Sequence, residues 1–111
     1  MSKSQRDKGR RRELEVIRLH LDMGIKAERV PLSGASKYRG NGADVDIYPP
    51  GRDAPLVCEV KARASGEGFK TLEAWLGEND VLVLIRDRAT PMVVLPWRTY
   101  SELICLRRDS Q

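Results

Sequence analysis

Two neighbouring segments decide how this chain is read: Ala43-Asp44-Val45-Asp46-Ile47-Tyr48 and Leu56-Val57-Cys58-Glu59-Val60-Lys61-Ala62-Arg63, separated by Pro49-Pro50-Gly51-Arg52-Asp53. The first alternates, with Ala43, Val45 and Ile47 to one side and Asp44 and Asp46 to the other, which is the period of a strand. The Pro-Pro-Gly-Arg-Asp stretch carries turn chemistry. The second segment alternates again, with Leu56, Cys58, Val60 and Ala62 forming an apolar face and Glu59, Lys61 and Arg63 a charged one. Together they predict an antiparallel hairpin. Paired strands lie about 5 Å apart, so Asp44 and Asp46 can share a sheet face with Glu59 and Lys61.

Working outward, residues 5–23 predict a helix, with Leu14, Ile17 and Leu21 on one stripe and Val16 and Met23 beside it. Gly24 stands where a helix-ending glycine belongs. Ala27–Leu32 predicts a short strand, and Ser33–Asn41, rich in Ser, Gly and basic residues, a loop. Beyond the hairpin, Phe69–Leu76 predicts a short helix ended near Gly77, with Leu72, Trp75 and Leu76 packing it on the sheet. Asp80–Ile85 contains Val-Leu-Val-Leu-Ile, the pattern of a strand buried on both faces. Pro91–Leu95 predicts a last short strand and Trp97–Leu106 a closing amphipathic helix, whose Trp97, Tyr100, Leu103 and Ile104 suit a core or a subunit interface. The expected architecture is an α/β sandwich with a mixed central sheet flanked by helices, in one domain spanning residues 1–111.

Composition narrows the function classes. The chain has 111 residues, 41% apolar and 32% charged, which suits a globular domain rather than a disordered segment. Aromatic residues are only 5%, which argues against a stacking platform for bases. The net charge is +4, and it is unevenly placed. Lys3, Arg6, Lys8, Arg10, Arg11 and Arg12 crowd the basic segment 1–12 against a single acid, Asp7. Arg107 and Arg108 make a second basic spot. Such clusters attract a phosphate backbone, although a basic tail kept soluble by its charge has the same composition. Cys58 and Cys105 lack any metal-binding spacing and read as reduced thiols, largely buried, of a cytoplasmic protein. No apolar run reaches the ~20 residues of a membrane helix, so no membrane association is expected.

The hairpin carries the chemistry. Clustered carboxylates resist joint ionisation unless a cation relieves their repulsion. A hard ion such as Mg²⁺ does this while taking up phosphate oxygens and acidifying a bound water. A lysine beside that water can orient it or stabilise transition-state charge. Glu and Lys two apart on a strand are also what a solvated face or a surface ion pair looks like. His20, the one histidine, falls at helical spacing from Ile17 and reads as a structural or surface residue.

The Asp44-Val45-Asp46-Ile47 segment, the thirteen-residue step from Asp46 to Glu59, and Glu59-Val60-Lys61 resemble the motif of PD-(D/E)XK nucleases. The N-terminal half is similar to the archaeal-type Holliday junction resolvases, including those carried by phages. The likeness rests on Glu13 early in the first helix, Gly24 at its end, and Arg29, Pro31 and Ser33 before a Gly/Ser loop. It covers about residues 8–63 and beyond them only the order of elements. It implies a PD-(D/E)XK, restriction-endonuclease-like core of αβββαβ order. It implies metal ligation by Asp46 and Glu59, completed by Glu13, with Lys61 acting on the attacking water and Ser33 near the scissile phosphate. The cofactor would be Mg²⁺, with Mn²⁺ as its substitute, the substrate a four-way DNA junction and the assembly a homodimer, whose two-fold symmetry the junction shares. Val45 rather than Pro precedes Asp46, so Asp44 stays open as the alternative ligand. Arg10, Arg11, Arg12, Lys37, Arg39 and Arg63 are the expected DNA contacts. Two other readings stay open: a repair, flap or restriction-like nuclease with the same core, and a DNA-binding module without catalysis.

Overall fold

A computed structural model describes residues 3–30 and 44–110, with side chains from residue 9 onward. The elements in order are α1 (Lys3–Asp22), β1 (Lys26–Arg29), β2 (Val45–Tyr48), β3 (Leu56–Cys58), α2 (Glu67–Leu76), β4 (Leu82–Leu84), β5 (Met92–Val94) and α3 (Trp97–Asp109). The class is mixed α/β, as expected. The chain divides into two compact units, Met1–Ala62 with Arg107–Gln111, and Arg63–Leu106.

In the first unit β1, β2 and β3 form an antiparallel sheet in that order. Ala27, Val45 and Ile47 share a face by register and are buried, as is Ile25 just before β1. A fully buried aliphatic side chain of this kind contributes about 1.5–3 kcal/mol. Helix α1 packs on β1 and β2. Its inward stripe is Glu13, Val16, Ile17 and His20, the i, i+3, i+4, i+7 positions of one face. Leu14 and Leu21, expected inside, are exposed. The helix is turned about its axis so that a histidine takes a core position: His20 is buried, and its Nδ1 lies 2.7 Å from the Val16 carbonyl. A carbonyl only accepts, so Nδ1 carries the proton.

Helix α1 ends as its sequence dictates. Gly24 has φ 76, its N–H bonds the Leu21 carbonyl at 2.9 Å, and the Ile25 N–H bonds the His20 carbonyl at 2.9 Å. These are the two bonds of a Schellman ending, which needs a left-handed residue at the Gly24 position. The Pro49–Arg52 turn closes by a 3.4 Å bond from the Arg52 N–H to the Pro49 carbonyl, with Gly51 at φ 81, the geometry of a type II turn. The last residues of the chain hold onto this unit. Arg107 donates to the carbonyls of Pro50 and Gly51 at 2.9 and 3.2 Å, and Arg108 to that of Met23 at 2.6 Å.

The expected strand over Leu56–Arg63 keeps its ladder only to Cys58. The Asp44 N–H bonds the Cys58 carbonyl at 3.0 Å, and the next amide on that side, Val60 N–H, goes to the Asp44 carboxylate at 2.8 Å. A side chain thus replaces the backbone acceptor, and regular pairing stops. The alternation nevertheless continues: Leu56, Cys58, Val60 and Ala62 are half-buried while Val57, Glu59, Lys61 and Arg63 are exposed.

The second unit departs further from expectation. β4 and β5 pair antiparallel in a two-stranded sheet of their own, so the described strands form two antiparallel sheets rather than one mixed sheet. Leu82 and Leu84 are half-buried, but Val81, Val83 and Ile85 are exposed. The apolar run is therefore one side of a ribbon, not a strand buried on both faces. A short apolar run has no period by which to tell the two apart. Helix α2 ends at Gly77, φ 53, whose N–H bonds the Glu73 carbonyl at 2.9 Å. Its Leu72 and Leu76 are half-buried, whereas Trp75, expected to pack, is 60% exposed. In α3 Ile104 is buried, Trp97 and Leu103 are exposed, and the rings of Trp97 and Tyr100 lie 5.1 Å apart. Arg98 ties the start of α3 to Asp80 at 2.6 Å and to the carbonyls of Glu78 and Asn79 at 3.4 and 3.3 Å.

Candidate functional site

The β2–β3 register pairs Val45 with Cys58 and Asp46 with Val57. Residues opposite each other across a sheet share a face, and so do their second neighbours. Asp44, Asp46 and Glu59 therefore leave the backbone on one face, with Glu59 diagonal to Asp46, and Lys61 follows in the same alternation. The apolar face opposite carries Val45, Ile47 and Cys58.

The four differ in environment. Asp46 is buried, at 4% exposure, and no buried polar side-chain atom among the described residues lacks a hydrogen-bond partner. Glu59 and Lys61 are exposed and form an ion pair of 3.1 Å. Such a pair adds only about 0–1 kcal/mol to stability. Asp44 is half-buried and accepts the Val60 N–H through Oδ2. Asp44 thus has a structural task at the end of β3. Cys58 registers the local field. Partial burial, then the negative charges of Asp44 and Glu59, push its thiol above the ordinary 9.0. Both carboxylates are thus near enough to act on one sulfur.

Glu13 sits elsewhere. It is on the inward stripe of α1, and its Oε1 accepts from Arg29 Nε at 2.7 Å. Arg29 pairs with Val45 and alternates with Ala27, so it leaves β1 on the helix-covered face, opposite to that of Asp46. The pair is far less exposed than Glu59–Lys61, with Arg29 at 28% and Glu13 at 17%. Among the described residues no three His, Cys, Asp or Glu side chains are grouped to hold one metal ion.

One acid on this face was missed by reading the sequence. Glu28 pairs directly with Asp46 across β1 and β2 and accepts from the Tyr48 hydroxyl at 2.7 Å. Only the register reveals it, because nothing within β1 itself marks Glu28. Lys26 completes the cluster, with its ammonium 4.9 Å from the centre of the Tyr48 ring.

Of the expected DNA contacts, Arg10, Arg11 and Arg12 are exposed on α1, so this part of the basic segment is helical rather than a tail. Arg12 pairs with Glu15 at 2.8 Å. Arg63 is exposed. Ser33, Lys37 and Arg39 lie outside the described residues. Of the second basic spot, Arg107 spends its guanidinium on backbone carbonyls, and Arg108 divides its own between the Met23 carbonyl and the Asp109 carboxylate.

No protein-family model, curated protein or solved structure matches the chain. No described helix is long and apolar enough to cross a membrane.

The donor chemistry on the Asp46 face fits a hard divalent ion. It consists of carboxylate oxygens, and the one described cysteine nearby, Cys58, is on the other face. Asp46 and Glu59, with Asp44 beside them, are the residues that would hold it. Glu13, paired with Arg29 on the opposite face, is not among them.

Proposed function

We propose that the chain is a divalent-metal-dependent, structure-selective DNA endonuclease of the PD-(D/E)XK type, acting on four-way junctions as a homodimer. The observation that carries the reading is the shared face of Asp44, Asp46 and Glu59, with the Lys61 ammonium 3.1 Å from the Glu59 carboxylate. When bound, Mg²⁺ would neutralise phosphate charge and acidify the attacking water. Asp46 and Glu59 provide the negative charge that retains the ion. Lys61 would hold the water or offset charge building on the phosphate. Arg10 and Arg11, exposed on α1, provide sequence-independent attraction to the backbone. Hydrolysis would leave a 5′-phosphate and a 3′-hydroxyl.

The test is cleavage of a synthetic four-way junction with Mg²⁺ and with EDTA. Glu59→Ala and Lys61→Ala should each lower the rate by roughly 10²–10³-fold while leaving folding intact. Undiminished Mg²⁺-dependent cutting by either variant ends this reading, and equal cutting of duplex and junction ends its junction-selective part. A second reading, a DNA-binding module without catalysis, rests on the basic residues Arg10, Arg11 and Arg12 exposed on α1. Calorimetry separates the two, since the module would bind DNA with a steep salt dependence and show no Mn²⁺ or Mg²⁺ site.

A further inference from the structure

We infer that two copies of this chain join through the open edge of β4, pairing antiparallel about a two-fold axis at Val83 to make one four-stranded sheet. The inference rests on the homodimer of the reading above and names its surface. It asks nothing of the catalytic chemistry.

The unit that holds β4 leaves much apolar surface in water. Among its described residues, 63–106, Ile104 alone is buried. Val81, Val83, Ile85, Met92 and Val93, all of the β4–β5 ribbon, are 47–78% exposed. A two-stranded ribbon is marginal by itself and is stabilised by further strands. β4 bonds to β5 on one side and to no other described strand on the other. The two edges of the ribbon differ in chemistry. β5 is bracketed by Pro91 and Pro96, which offer no N–H to a further strand. Val81–Ile85 has neither proline nor charge, and an exposed apolar edge of this kind is a template for pairing. Growth is favoured at β4 and disfavoured at β5, so the pairing closes at two copies.

The flanks of β4 decide which strand fits there. Before it stand Glu78, Asn79 and Asp80, and after it Arg86, Asp87 and Arg88. An antiparallel copy centred on Val83 sets Val81 against Ile85 of the second copy and Asp80 against its Arg86, and the symmetry repeats both pairs. Glu78 and Arg88 lie just beyond, so the acidic end of each strand meets the basic end of the other. Opposite charges facing across strands stabilise, whereas a parallel copy in register would set like against like. The same register keeps the half-buried Leu82 and Leu84 of both copies on one side of the sheet and the exposed Val81, Val83 and Ile85 on the other. Glu78, Asp80, Arg86 and Arg88 are all exposed, and among the described residues only Asp80 of the four is in an ion pair, with Arg98.

The experiment is sedimentation equilibrium of the full chain at several concentrations, with melting curves beside it. The wild type should dimerise with a dissociation constant in the micromolar range, as suits a short ladder and a small interface. Val83→Lys, which opposes two ammonium groups at the axis, should weaken the dimer by at least about tenfold. Arg86→Glu, which sets acid against acid twice, should weaken it by roughly tenfold, and Asp80→Lys added to Arg86→Glu should bring it back to within about threefold of wild type. The Asp80–Arg98 pair lost in that double variant is exposed, so melting should change little. Val93→Lys, on the same face but one strand from the edge, should leave dimerisation within about threefold of wild type. A wild type that stays monomeric at every concentration overturns the inference and the homodimer together, and leaves the metal-dependent chemistry to the cleavage assay. A dimer that withstands both Val83→Lys and Arg86→Glu overturns only the β4 surface. Failure of Asp80→Lys to rescue Arg86→Glu overturns the antiparallel register. Should Val83→Lys not fold, the Asp80 and Arg86 variants decide, because both positions are exposed.

Discussion

The carboxylate of Asp44 takes the Val60 N–H where a β3 ladder bond would otherwise form, which gives it a structural task at the end of that strand. Asp44→Ala should destabilise the protein by about 1–3 kcal/mol, the cost of a half-buried amide left without its charged acceptor, and denaturant titration measures it. Asp44→Asn, which keeps an acceptor oxygen, should cost clearly less. If Asp46 is the principal ligand, Asp46→Ala should abolish Mn²⁺ binding, whereas Asp44→Asn should only weaken it. Cys58 reports on the same field. Its thiol is raised above 9.0 by burial and by the charges of Asp44 and Glu59, so the folded chain holds that proton more tightly than the unfolded chain. This contribution is complete below the unfolded value and is lost as pH rises from there through the folded one. Stability should fall above pH 9.0 through this residue, and Cys58→Ser should remove that part of the fall. Below that pH, iodoacetamide should alkylate Cys58 more slowly than a free cysteine peptide.

At the scale of elements, α1 shows which local rules survive tertiary packing. Its end was readable because a left-handed position is open to glycine at no steric cost, and Gly24 is the residue there. Gly24→Ala should cost about 1–2 kcal/mol, seen as a lowered melting temperature. An added Cβ would meet only Arg108, with Cδ nearest at 3.5 Å, an ordinary separation, so the cost is conformational rather than steric. The rotation of α1 was not readable from its leucines. Hydropathy favours a Leu14–Leu21 stripe, yet the sheet receives Val16, Ile17 and His20 and leaves both leucines exposed. The reason lies in specific polar bonds. Glu13 meets Arg29 only when this other face turns inward, and the buried His20 is satisfied within its own helix by the Val16 carbonyl. Strand periodicity fared better, because the alternation from Leu56 to Arg63 outlasts the ladder that was expected to carry it.

For the whole molecule, the arginines near the C-terminus change the reckoning of charge. Arg107 and Arg108 close onto carbonyls of the β2–β3 turn and of the end of α1, which are distant in sequence. Replacing both by Ala should lower stability by about 1–2 kcal/mol and, on the DNA-binding function proposed above, leave the salt dependence of that binding almost unchanged. Replacing Arg10 and Arg11 should do the reverse. For each DNA phosphate that is no longer neutralised, the slope of log affinity against log salt should become shallower by about 0.9, with little effect on melting. Binding measured at several salt concentrations, beside melting curves, distinguishes a structural clasp from a phosphate-binding surface.

Taken alone, the amino-acid order determined the features that depend on neighbours along the chain: the α/β class, the turn at Pro49–Arg52, the glycine that ends α1, and the two-residue period that sets Asp44, Asp46, Glu59 and Lys61 on one side. Tertiary structure decided what depends on partners far apart in sequence. It brought Arg29 to Glu13, Glu28 to Asp46 and the last arginines to the first unit, and it gave β4 and β5 a sheet of their own. Periodicity specifies which way a side chain leaves its own element, whereas register and helix rotation, settled by packing, specify what it meets there.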